Sequence, residues 1–146
     1  MSVKTQEKKM RELAELLGHK PGYLTGAYEC PGPKRTFLNA GRAFLRAVAK
    51  DLNLTDYKVS VNPAGIAVSG DCTLIGMWEM NGIYIDISDF CCLNNAILYR
   101  TVRHMKDYTG GCNRYIRRSE LGGMGYRELL NRLSALREEA VHERAV

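Results

Sequence analysis

The chain has 146 residues, of which 45% are hydrophobic and 25% charged, a composition that suits one globular domain with its own core and excludes a disordered chain. No apolar run approaches the roughly 18 residues of a membrane span, and the charged N-terminal stretch has no signal-peptide core, so a soluble cytoplasmic protein is expected. The net charge of +5 and a pI near 9.0 permit an acidic or nucleic-acid partner without requiring one.

Thr5 to Leu17 reads as an amphipathic helix, with Met10, Leu13, Leu16 and Leu17 at helical spacing, Gly18 after the last turn and Pro21 beyond it. Between Lys20 and Arg35 the prolines and glycines predict a connecting loop, with Pro31-Gly32-Pro33-Lys34-Arg35 as the approach to a second helix. That helix is predicted from about Phe37 to Leu52, burying Phe37, Phe44, Leu45, Val48 and Leu52; Asn53 lies where it can stop. Arg42, Arg46 and Lys50 recur every fourth residue along another of its faces. They form a secondary basic stripe that could track a phosphate backbone or simply face water.

The period then changes to alternation. Tyr57, Val59 and Val61 predict a strand that ends at Asn62-Pro63, and Gly65–Ser69 and Thr73–Met80 predict two more. Asn81-Gly82 stands between apolar alternating runs, the signature of a two-residue hairpin turn with positive φ. Ile83, Ile85 and Ile87 should face one way, with Tyr84, Asp86 and Ser88 facing the other. Trp78 suits the core better than a ligand surface. After a loop at Asp89–Asn95, Ala96–His104 reads as a further strand with Leu98, Arg100, Val102 and His104 on one face and Ile97, Tyr99, Thr101 and Arg103 on the other. Arginines on both faces point to a sheet edge. From near Gly125 to Glu143 a long helix is predicted, with an apolar stripe of Tyr126, Leu129, Leu130, Leu133, Leu136 and Ala140 that could pack on the sheet or against a partner copy in a homodimer. The order predicts a single α+β domain over residues 1–146, a four- to five-stranded antiparallel sheet with N-terminal helices and a long C-terminal helix.

One stretch stands apart chemically. Tyr99 to Arg118 carries six Lys/Arg against one Asp, so the rest of the chain is neutral and the whole excess charge lies here. Three tyrosines and a Gly-Gly pair are interleaved with the cations, and this mixture suits phosphates and flat rings. The candidate binding residues are Arg100, Arg103, Lys106, Tyr108, Gly110, Gly111, Asn113, Arg114, Arg117 and Arg118. The glycine amides of Asp107–Gly111 could close on an anion as a small nest, and the arginines offer forked contacts to phosphate or carboxylate. The plainer reading is a strand, a loop and a solvated basic edge.

Cys30, Cys72, Cys91, Cys92 and Cys112 show no zinc-ligand spacing, so reduced, metal-free thiols and no cofactor are expected; the best metal set on offer would be Cys91, Cys92, His104 and Cys112. The acids Asp71, Glu79, Asp86, Asp89 and Asp107 are scattered without a paired-acid motif, and His104 near Cys112 is a thin basis for a base and nucleophile. No catalytic residue is therefore assigned, and a small phosphodiester or nucleotide hydrolase is the lesser alternative.

The runs Leu38-Asn39-Ala40-Gly41-Arg42-Ala43-Phe44-Leu45-Arg46, Gly65-Ile66-Ala67-Val68-Ser69-Gly70 and Lys106-Asp107-Tyr108-Thr109-Gly110-Gly111 together resemble small accessory proteins of phages and other mobile elements, over residues 36–115. The resemblance implies a role in counter-defence or host takeover, exercised by binding, as in an anti-CRISPR inhibitor or a protein that sequesters a nucleotide signal. It brings no catalytic residues. The expectation is a non-enzymatic protein that binds a nucleic acid, nucleotide or host nucleoprotein complex through the basic stretch; the rival is a protein–protein inhibitor or structural subunit that acts through a helix face.

Overall fold

The computed structural model describes residues 3–17, 31–62, 70–90, 95–107 and 111–139. Helices α1 (Val3–Leu17) and α2 (Pro31–Asp51) come first, then strands β1 (Asp56–Asn62), β2 (Asp71–Met77), β3 (Gly82–Phe90), β4 (Asn95–Val102) and β5 (Arg114–Arg117), then short helices α3 (Arg118–Leu121) and α4 (Tyr126–Ser134) and a 3-10 turn at Ala135–Glu138. The strands make one antiparallel sheet in sequence order, β1-β2-β3-β4-β5. The expected α+β architecture holds. The expected strand at Gly65–Ser69 falls outside the described residues.

Helix α1 buries Gln6, Met10, Leu13 and Leu17, the stripe its spacing dictates with one polar member added. Helix α2 buries Phe37, Phe44, Leu45 and Val48, with Leu52 just beyond it. It begins at Pro31, ahead of the expected start at Phe37. Both prolines fall in its first turn, where the backbone N–H groups have no intrahelical acceptor and a missing donor costs nothing. Its other end closes on Asn53 at φ 57°, with Asn53 N–H donating to Lys50 and Leu54 N–H to Ala49, the reversal in which a left-handed residue satisfies the last carbonyls.

Register gives the sheet two unlike faces. Cys72 and Leu74 of β2 lie opposite Ile87 and Ile85 of β3, which in turn oppose Ile97 and Tyr99 of β4; Ile97 pairs with Ile116 of β5. These residues are buried together with the apolar residues of α1, α2 and α4 and with Leu121 and Leu136. At roughly 1.5–3 kcal/mol for each fully buried large side chain, this layer is the main source of stability. Trp78 joins it, and its indole N–H donates to the Leu52 carbonyl at 2.8 Å. Gly41 of α2 stands where a Cβ would meet Cys72 Sγ at 2.5 Å, so helix and sheet approach closely there.

Three expectations need correction. The β2–β3 hairpin exists, but its tip is Glu79-Met80: Trp78 N–H bonds to the Asn81 carbonyl at 2.8 Å, Met77 pairs with Gly82, and neither Asn81 nor Gly82 has positive φ. Asn81 is instead buried, with its side-chain nitrogen donating to the Leu136 and Glu139 carbonyls at 2.9 Å each. Gly82 is required by close approach to the Gly76 carbonyl. Strand β4 is interior, between β3 and β5; Arg103 lies beyond its end, so the strand holds one arginine. The C-terminal helix is short, because α4 passes at Ala135 into the 3-10 turn whose carbonyls Asn81 caps. Its Tyr126, Leu129, Leu133 and Leu136 are buried in this chain's own core, Leu130 is half-buried against it, and Ala140 lies outside the described residues. No helix among the described residues is long and apolar enough to cross a membrane.

Candidate functional site

The sheet face turned away from the helices carries the side chains that alternate with the core. Its residues fall into cross-strand rows. One row is Lys58, Ile75, Tyr84 and Arg100 on β1 to β4; the next is Ser60, Thr73, Asp86, Leu98 and Tyr115 on β1 to β5; a third is Asn62, Asp71 and Ser88. Most are half-buried. The β4–β5 end is the aromatic and basic part: Tyr115 is 42% exposed, Leu98 lies opposite it, and Arg117 is exposed two residues further along β5.

The basic stretch does not form one surface, because β5 alternates and sends its arginines to opposite faces. Arg117 joins the open face, while Arg114 is on the helix side and donates to Glu139 Oε2 at 2.8 Å, a contact that raises its pKa. Arg118, at the start of α3, reaches the Leu17 carbonyl at 3.2 Å. Arg100 lies on the open face, but its two terminal nitrogens bind the Gly111 carbonyl at 2.7 Å and Asn113 Oδ1 at 3.0 Å. It therefore clamps the segment after the β4–β5 connection to the strand. Gly111 lies so close to the Thr101 carbonyl that a Cβ would collide with it. Arg103 pairs with Asp107 at 3.9 Å, and His104 and Asp107 form a β-bridge. Lys106 is exposed in the same turn. Tyr108 and Gly110, and with them most of the proposed anion nest, lie outside the described residues. Arg117 and Lys106 are thus the exposed cations of the stretch, and Arg100, Arg114 and Arg118 are ties within the fold.

Helix α2 divides the secondary stripe similarly. Arg42 donates to Asn39 Oδ1 at 2.9 Å. Arg46 and Lys50 line a cavity of about 270 Å³ with Ala43, Ala47 and Asp51. The Asp51 carboxylate accepts the Tyr126 hydroxyl at 2.6 Å, and burial, then this bond, pushes the phenol pKa up. Tyr126 N–H also donates to Glu7 Oε2 at 2.9 Å, which fixes the start of α4 against α1.

Two acids that are far apart in the sequence meet on the open face. Asp71 and Asp86 are diagonal neighbours across β2 and β3; burial first, then the Asp71 charge, pushes the Asp86 carboxyl up to about 7. Sequence spacing hid this pair, since it depends on the register of two strands. The exposure of Tyr115 was hidden likewise, and a strand assignment for Arg114–Arg117 would have been the signal for it.

Cys72 and Cys112 are free thiols; Cys30, Cys91 and Cys92 lie outside the described residues. Burial, before the nearby acids, pushes the Cys72 thiol up to about 12, and its S–H points at the Leu38 carbonyl at 3.5 Å, so it is an inert core group. Cys112 is exposed, and no hydrogen bond joins it to His104 among the described residues. No group of three His, Cys, Asp or Glu residues suited to a metal ion occurs among the described residues. Comparison with protein-family models, with curated proteins and with solved structures gave no match.

Proposed function

We propose that the protein is a binding module, without catalysis of its own, that holds single-stranded nucleic acid along the β4–β5 half of the open sheet face. The observation that supports this best is the placement of an exposed tyrosine and an exposed arginine, Tyr115 and Arg117, on one face of β5 with Leu98 beside them. An antiparallel sheet that offers an exposed aromatic ring and an exposed cation on the face turned away from its helices suits an unstacked base with its phosphate. Arg100 contributes by fixing Gly111 and Asn113 next to that surface, and Lys106 adds charge at the turn. Such binding is the mode that a mobile-element accessory protein would use against a host nucleoprotein complex, and counter-defence is the cellular role proposed with it.

The test is fluorescence anisotropy with a labelled single-stranded oligonucleotide, titrated at several salt concentrations. Tyr115→Ala should weaken binding by about 1–3 kcal/mol, the worth of one stacked base. Arg117→Ala should weaken it and reduce the salt slope by about 0.7, the share of one phosphate contact on a single strand. Arg127→Ala and Arg137→Ala, at exposed positions of α4 and of the turn that follows it, serve as controls and should bind like wild type. Equal binding by all four variants would sink this reading.

A further inference from the structure

Asp86 of β3 lies opposite Thr73 and Asp71 of β2 opposite Ser88, so the two acids stand one step apart along the same face. Diagonal neighbours across an antiparallel pair are within reach of each other. Two carboxylates that share a site cannot both ionise at their ordinary pH, and one keeps its proton longer.

The surroundings do little to offset the pair. On β3 the Tyr84 hydroxyl is 3.5 Å from Asp86 Oδ2, while Asp86 Oδ1 is buried with no hydrogen-bond partner among the described residues. On β4 the residue opposite Asp86 is Leu98, and Arg100, in the neighbouring row, donates to Gly111 and Asn113. On β1 the residues in these rows are Ser60 and Asn62, with Lys58 one row away. Behind the sheet stand the Cys72 thiol and, beyond it, Arg42. Among the described residues neither carboxylate has a salt-bridge partner.

We propose that this pair makes the open face a pH-sensitive polyanion binder, one that holds its ligand more tightly when Asp86 carries a proton and less tightly when it does not. The inference rests on the nucleic-acid reading of the same face. Asp86 shares a row with Leu98 and Tyr115, so it stands two strands, about 10 Å, from the stacking residue. That distance is close to one Debye length, and a unit of negative charge there weakens a phosphate contact about two- to fourfold. The value of about 7 for Asp86 puts the change in the neutral range.

The experiment is the titration of a labelled single-stranded oligothymidylate from pH 6 to pH 8.5 at constant ionic strength, with wild type, Asp86→Asn and Asp71→Asn. Wild-type affinity should fall about two- to fourfold across the range. Asp86→Asn should hold the low-pH affinity throughout, and Asp71→Asn should be flatter than wild type with its own affinity raised at pH 8. Circular dichroism at each pH keeps folding separate from binding. A wild-type slope that survives in Asp86→Asn would assign the effect to histidines and overturn the proposal, as would binding independent of pH. Absence of binding by wild type at every pH would instead remove the nucleic-acid reading, and the inference with it.

Discussion

The side-chain amide of Asn81 holds two carbonyls at the end of the 3-10 turn while itself 4% exposed. Asn81→Ala would take a donor from both carbonyls, leaving Leu136 with the Glu139 N–H alone. It should lower unfolding free energy by about 2–3 kcal/mol, read by denaturant titration. Asp86 makes the opposite kind of contribution. Its folded-state pKa is raised to about 7 from an ordinary value of 3.8, with burial the leading cause. The favourable term from its proton is therefore complete below the unfolded value and is lost as pH rises from about 4 through about 7. Asp86→Asn should remove that decline, so the variant gains on wild type by about 1–2 kcal/mol between pH 4 and pH 8, a figure discounted for the half-exposed setting. A difference that stays constant over that range would show that Asp86 titrates in the protein as it does in the unfolded chain.

At the scale of elements, β5 decides what the basic stretch becomes. Four residues in alternation put Arg114 against Glu139 on one side and Tyr115 and Arg117 on the other, so neighbouring arginines have different duties. The clamp made by Arg100 ties β4 to Gly111 and Asn113. Arg100→Ala should cost about 1–3 kcal/mol of stability, with loss of two charge-assisted bonds as the cause, and hydrogen exchange should rise at Gly111 to Asn113. Arg117→Ala, on an exposed side chain, should change stability by about 0.5 kcal/mol or less and act on binding alone. Equal thermal shifts in the two variants would contradict this division.

Across the whole molecule, what periodicity encodes was legible in the sequence: α1, the buried face of α2, the alternation of β1 to β4 and the α+β order all follow from spacing that one segment carries by itself. What depends on a partner far along the chain was not. The hairpin tip lies at Glu79-Met80 because Asn81 is recruited by residues near 136–139. The Asp71–Asp86 pair and the split of Arg114 from Arg117 both arise from register between strands. Charge counting placed the basic residues in one stretch, and only the fold shows that Arg100, Arg114 and Arg118 hold its own parts together. On the proposed function, the sheet face at β4–β5 is the working surface. Backbone amide chemical shifts, followed while a single-stranded oligonucleotide is added, test it most directly. The predicted result is a contiguous set of shifted amides around Leu98, Arg100, Asn113, Tyr115 and Arg117, with α2 and α4 unmoved. Shifts centred on Ala43, Arg46, Ala47 and Lys50 of α2, with β5 silent, would contradict it.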